Sequence, residues 1–167
     1  MNLYILRHGI AVEPGTPGYE QDADRPLTPE GERKLGQIAV AMEALGLTFD
    51  LILSSPYVRA RQTAEIIAAA FSARKQLEFS NHLACGGDSK KLVEYLKRLQ
   101  PLPENVMLVG HEPYLSGLIS LLVAGNESCW VVLKKGGLCK LTTVSLKHGP
   151  CAALEWLLTP KQMALMN

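Results

Sequence analysis

The apolar positions of this chain change their period as it runs. "LYIL" (3–6) is a continuous apolar run of strand length that stops abruptly at Arg7, His8 and Gly9. In "LTPEGERKLGQIAVAMEALG" (27–46), Leu35, Ile38, Ala39, Met42 and Leu45 recur every three or four positions, which predicts a helix with one apolar stripe. Thr28 is its predicted N-cap, Pro29 suits the first helical position and Gly46 suits the exit. "DLILS" (50–54) predicts a second strand. "SPYVRARQTAEIIAAAF" (55–71) predicts a helix capped by Ser55, begun by Pro56 and packed through Ala60, Ala64, Ile67, Ala68 and Phe71. "LEF" (77–79) predicts a short strand and "SKKLVEYLKRL" (89–99) a helix. "VMLVG" (106–110) predicts a buried strand, and "EPYLSGLISLLVAG" (112–125) a mostly apolar helix with Pro113 just inside its start. "LCKLTTVSL" (138–146) and "AALEWLL" (152–158) predict a late pair of strands, and "TPKQMAL" (159–165) a final short helix.

Strands alternating with helices predict an α/β protein. The expected architecture is a three-layer α/β/α sandwich around a mostly parallel sheet, with an antiparallel edge from the last two strands. No linker or repeat interrupts the chain, so one domain over 1–167 is expected. Composition changes this picture little: 47% hydrophobic and 20% charged residues are ordinary for a globular protein. A net charge of +1 without long Lys/Arg blocks gives no reason to expect nucleic acid or a membrane surface as partner. The longest apolar run, "LISLLVA" (118–124), is too short to span a bilayer, and no signal-peptide pattern opens the chain, so a cytoplasmic location is expected. Cys85, Cys129, Cys139 and Cys151 form no C-x-x-C pair and read as free thiols that mostly fill the core.

The chemistry gathers where three predicted strands end. Arg7, His8 and Gly9 follow the first. "SPYVRARQT" (55–63), with Arg59, follows the second. Gly110, His111, Glu112 and Pro113 follow the strand at 106–110. In parallel sheets, ligands bind beyond the carboxyl ends of strands. Two guanidiniums and two imidazoles meeting there suit a phosphoryl dianion, since arginine's planar fork matches phosphate oxygens. Helix starts at Pro56 and Pro113 are expected to add positive potential. Neighbouring cations push an imidazole's pKa down, and a neutral imidazole has a lone pair for attack on phosphorus.

"LRHG", "SPYVRARQTA" and "VGHEP", in this order and at strand ends, resemble the histidine phosphatase (phosphoglycerate mutase-like) superfamily. The short length, "RPLTPEG" (25–31) and "LLTPKQ" (157–162) look like its small SixA-type phosphohistidine phosphatases. The resemblance implies His8 as nucleophile, phosphate-binding roles for Arg7, Arg59 and His111, a phosphohistidine enzyme intermediate, and neither metal nor organic cofactor. Larger members carry a general-acid glutamate in an insertion between the second and third motifs. The stretch from Ala73 to Asp88 leaves no room for such a lid. Asp88, after Gly86 and Gly87, is the better candidate acid; Glu112 is a second, and Glu78 sits inside a predicted strand. A missing acid favours a leaving group that departs neutral, such as the imidazole of a phosphohistidine on a partner protein. Alternatives are a broad small-molecule phosphomonoesterase, a mutase and a non-catalytic phosphate-binding module.

The remaining polar residues have plainer readings. Gly86 and Gly87 read as a turn and Arg61 as a solvated helix face. His82 and His148 read as surface residues. Arg25 reads as a partner of Asp22 or Asp24 rather than a pocket residue. Zinc hydrolysis lacks any H-x-x-x-H spacing.

Overall fold

A computed structural model describes residues 1–126 and 128–166. Its strands are β1 (Asn2–Arg7), β2 (Leu51–Ser54), β3 (Leu77–Phe79), β4 (Asn105–Gly110), β5 (Leu138–Thr143) and β6 (Ala152–Leu158). They form one sheet in the order β3-β2-β4-β1-β5-β6. The first four of these are mutually parallel, and β5 runs antiparallel to both β1 and β6. The expected mostly parallel sheet with an antiparallel flank is therefore present. The helices are α1 (Pro29–Ala44), α2 (Val58–Ala70), α3 (Ser89–Arg98), α4 (Tyr114–Ala124) and α5 (Pro160–Met163).

Strand periodicity of two sorts the core into two halves. Tyr4 and Leu6 of β1 pack with Leu35, Ile38 and Met42 of α1, Ala64 and Ile67 of α2, and Met163 of α5. Leu3 and Ile5 face the other way, onto Leu92 and Leu96 of α3 and Leu115, Leu118 and Leu122 of α4. Both faces are covered, which is why β1 reads as an unbroken apolar run rather than an alternating one. Each fully buried leucine or isoleucine contributes about 1.5–3 kcal/mol to this arrangement.

Connectivity places the site. The chain runs from β1 through α1 to β2 but leaves a vacant lane between them, which β4 later fills. Arg7 pairs with Gly110, and Ser54 with Val109, so the carboxyl ends of β1, β4 and β2 finish level. The residues that follow, His8, His111 and Ser55, emerge side by side with His111 in the middle.

Three expectations need correction. The helices α2 and α4 start at Val58 and Tyr114, after the residues expected to open them. Residues 55–57 and 111–113 stay out of the helices, and Ser55 receives the Tyr57 N–H at 3.3 Å within the turn. Of the cysteines only Cys139 is buried; Cys85 and Cys129 are exposed and Cys151 is half-buried. Strand β5 ends at Thr143, short of the predicted 146. Among the described residues no helix is long and apolar enough to cross a membrane.

Two glycines in α1 separate propensity from packing. A Cβ on Gly31 would lie 2.1 Å from the backbone oxygen of Ile10, whereas one on Gly36 would meet nothing within 4 Å. Gly36→Ala is expected to raise stability by about 0.5–1 kcal/mol through helix propensity. Gly31→Ala is expected to lower it by roughly 1–3 kcal/mol despite the same propensity gain, because the start of α1 must lift off the Ile10 segment. Urea unfolding of both variants checks this; a gain in stability for Gly31→Ala contradicts the packing.

Candidate active site

Arg7 ends β1 and His8 follows it, and both are pinned through the backbone. The His8 N–H bonds to the Gly110 carbonyl at 3.1 Å, and the Gly136 N–H bonds to the carbonyls of Arg7 and His8, both at 3.0 Å. The Arg7 Nη1 donates to the Leu133 carbonyl at 2.9 Å. His8 is only 6% exposed. Its Nδ1 lies 2.7 Å from the carbonyl of Gly9, and its Nε2 lies 3.2 Å from Nε of Arg59. A carbonyl only accepts and a guanidinium only donates. The proton therefore sits on Nδ1, and the unprotonated Nε2 accepts the Arg59 N–H through its lone pair.

Burial is the main reason His8 is neutral. It pushes the imidazole down to about 3; the bond to Gly9 works against this, and His111, Arg59 and Arg7 add to it. The cations expected to depress it are the smaller cause. The missing side chain of Gly9 makes room for the protein, because a Cβ there would lie 2.7 Å from Leu35 Cδ1.

Arg59 is 3% exposed although it lies in the first turn of α2, where the helix dipole disfavours a cation. Its compensation comes from a loop. Nη1 donates to the backbone oxygen of Asp22 at 2.6 Å, and Nη2 to the Asp22 carboxylate at 2.8 Å. Arg25 binds the other carboxylate oxygen of Asp22, through Nε at 2.9 Å and Nη2 at 2.5 Å, and reaches the Val12 carbonyl with Nη1. Partial burial pushes the Asp22 carboxyl up, but the bonds from Arg25 and Arg59 overcome this and hold it below the ordinary range. Asp22 thus serves both Arg25, as one of its two expected partners, and Arg59. Nothing in "DADR" signals that it also neutralises Arg59.

His111 is 1% exposed, with its ring centroid 5.1 Å from that of His8 and 5.1 Å from that of Tyr57. Its Nε2 lies 2.8 Å from Ser55 Oγ. Burial, then Arg59, pushes this imidazole down to about 4. Ser55 thus orients His111 instead of capping a helix; its place directly after a strand was the available clue. Nδ1 of His111 and Nε of Arg7 are buried without a hydrogen-bond partner. Buried polar groups are rarely left so. An anion seated among these side chains offers them acceptors.

The rest of the second motif ties the site to the fold. Thr63 Oγ1 accepts the Gly9 N–H at 3.1 Å and donates to the Arg59 carbonyl at 2.6 Å. Gln62 Oε1 accepts the Leu27 N–H at 2.7 Å. The structure brings Arg7, His8, Arg59 and His111 together. Asp88 has a different employment: it is the N-cap of α3, accepting the Lys91 N–H at 3.0 Å, and that bond holds its carboxyl below the ordinary range. An exposed capping carboxylate is ill suited to deliver a proton. Glu112 does not cap α4 either; its Oε2 accepts from Ser116 Oγ at 2.5 Å, and its negative charge opposes the lowering of Arg7 that burial causes. Arg61 pairs with Glu65 at 3.8 Å on the solvated face of α2, and Ser89 Oγ lies 3.3 Å from His148 Nε2. Among the described residues no group of three His, Cys, Asp or Glu side chains is placed to hold a metal ion.

Residues 3–84 match the family model of the histidine phosphatase superfamily, branch 1. An uncharacterised protein of Picosynechococcus sp. is 40% identical over 139 residues, 83% of this chain and 82% of that one. The chain belongs to the histidine phosphatase superfamily. Its fold matches a structure of the protein histidine phosphatase SixA complexed with tungstate, with a TM-score of 0.83 at 23% identity, over 96% of this chain and 98% of the other. It also matches the Agrobacterium tumefaciens protein described as a phosphohistidine phosphatase SixA, with a TM-score of 0.75 at 27% identity, over 95% and 97%. The fold extends further, to a phosphoserine phosphatase of Entamoeba histolytica, with a TM-score of 0.69 at 18% identity over 96% and 98%.

The neutrality of this superfamily member's two site histidines is directly measurable. With imidazoles held near 3 and 4, the ring-proton resonances of His8 and His111 are expected to stay constant from pH 8 down to pH 5 in the phosphate-free protein. NMR titration, with assignments from His8→Gln and His111→Gln, checks this. A midpoint for His8 at pH 6 or above contradicts the electrostatics described.

Proposed function

We propose that this phosphatase removes the phosphoryl group from a phosphohistidine carried by a protein, such as a histidine-containing phosphotransfer domain, through a phospho-His8 intermediate. Nε2 of His8 attacks phosphorus with the lone pair that the Gly9 bond leaves unprotonated. Arg7, Arg59 and His111 bind the non-bridging oxygens and stabilise the charge that spreads over them in the transition state. Arg59 exchanges the His8 nitrogen for a phosphoryl oxygen as it does so. The substrate's P–N bond breaks, its electron pair returns to the substrate imidazole, and a P–N bond to His8 forms. Water then attacks phosphorus, the electron pair returns to Nε2 of His8, and inorganic phosphate leaves.

The observation that carries the choice of substrate is how the nearby carboxyls are engaged. Asp22 and Asp88 are both held below the ordinary carboxylate range, by two arginines and by a helix cap, and Glu112 accepts a hydrogen bond from Ser116 Oγ. An alkoxide leaving group needs a proton donor far more than an imidazole, which departs neutral when the substrate ring already carries its own proton. The first step also replaces one P–N bond by another, so it lies near thermodynamic balance. Similarity to SixA proteins supports the same substrate class.

A small-molecule phosphomonoesterase is the second reading, favoured by the phosphoserine phosphatase that shares the fold. Comparison of kcat/KM on a phosphorylated phosphotransfer domain, phosphoserine and a sugar phosphate separates the two. The phosphohistidine protein is expected to be preferred by about tenfold or more, which is about 1.4 kcal/mol of transition-state stabilisation. Faster turnover of either phosphoester contradicts the proposal.

A further inference from the structure

The segment between α4 and β5 holds Arg7 through the Leu133 carbonyl, and its outer face has a use of its own. Burial alternates along it. Leu133 is buried in the core on the α3 and α4 side of the sheet and Val131 packs against it, while Trp130, Val132 and Lys134 are exposed. These three exposed side chains alternate with the two that pack inward. Trp130 is 97% exposed and Val132 66%. Large apolar side chains grouped on a surface mark interaction sites, and tryptophan is prominent among the residues that dominate binding energy.

Lys134, the last of the three, also borders a groove of about 580 Å³. Lys134 lines it together with Lys34 and Lys161, over apolar Ile38, Pro160 and Ala164. Lys34 is paired with Glu30, but among the described residues Lys134 and Lys161 have no carboxylate within ion-pair distance. The groove is also close to the chemistry. A Cβ on Gly136 would touch Ile38 and Pro160, and the N–H of that same Gly136 bonds to the carbonyls of Arg7 and His8.

We infer that the Trp130–Val132–Lys134 face, with the adjoining lysine-lined groove, docks an acidic surface of the phosphohistidine-bearing protein and presents its phosphoryl group to His8. The inference rests on the substrate class proposed above. Charge selects the occupant. Unpaired ammonium groups beside exposed apolar side chains suit carboxylates interspersed with apolar residues. A second copy of this chain is disfavoured, because a two-fold contact through this face buries the unpaired lysines of both copies in one interface.

The test uses the whole protein with two substrates: an acidic phosphotransfer domain phosphorylated on histidine, and the small phosphoramidate imidazole phosphate. Trp130→Ala and the double variant Lys134→Glu, Lys161→Glu are each expected to lose about tenfold in kcat/KM on the phosphoprotein, mainly through KM. Both are expected to keep the wild-type rate on imidazole phosphate within about twofold. In a Trp156→Phe background Trp130 is the sole tryptophan. Its emission is expected to shift to the blue as the phosphotransfer domain is added, with weaker binding at higher salt. Wild-type kinetics of both variants on the phosphoprotein overturn the docking surface and leave the substrate class standing. A blue shift that follows this protein's own concentration, without the domain, overturns it in favour of self-association. Turnover of imidazole phosphate and phosphoesters but not of the phosphoprotein, by wild type itself, overturns the substrate class and the docking surface together.

Discussion

The site depends on where one proton sits. A 2.7 Å hydrogen bond from Nδ1 of His8 to the Gly9 carbonyl puts that proton on the nitrogen facing the protein and leaves the lone pair on Nε2. Everything around it serves this geometry. Thr63 holds the Gly9 N–H, Gly110 and Gly136 hold the backbone of His8, and the sheet fixes the height at which the ring emerges. A neutral ring in a buried place costs little, so the fold can enclose the proposed nucleophile without a compensating charge.

The arginines pose the opposite problem. Arg59 is charged and almost fully buried, which is costly without an anion. Asp22 supplies that anion from an exposed loop, while Arg25 holds the loop in place. The arrangement leaves Nε of Arg59 directed at His8, in the position where a phosphoryl group on Nε2 would place its oxygens. Arg7 is balanced more loosely, by the Leu133 carbonyl and the nearby charge of Glu112. The site is thus organised as a set of donors around one lone pair, which matches the charge distribution of a phosphoryl group in transfer.

Much of this was legible in the sequence, for physical reasons. Strands buried on both faces read as unbroken apolar runs, and α1 announced itself by its stripe and by Thr28, Pro29 and Gly46. The three motifs placed Arg7, His8, Arg59 and His111 because residues at parallel strand ends are forced to one edge. The role of Asp22 was not legible, since its bond to Arg59 spans a loop and has no periodic signature. The capping role of Asp88 is not legible, because a carboxylate after two glycines looks the same in sequence whether it points to a ligand or caps a helix. The helix starts are not legible either, because proline suits a first turn wherever it stands, while here residues 55–57 and 111–113 stay outside the helices. Nor is the main cause of the depressed His8 pKa, because burial depends on packing that a motif does not carry.

The central claim is that phosphoryl transfer passes through Nε2 of His8. Rapid quench with a labelled phosphohistidine protein, at alkaline pH where phosphoramidates survive, followed by peptide mass spectrometry, tests it most directly. The account predicts one phosphoryl group on the peptide containing His8, formed within a single turnover, and neither label nor turnover in His8→Ala. Turnover at the wild-type rate by His8→Ala, or label on another residue, would contradict it.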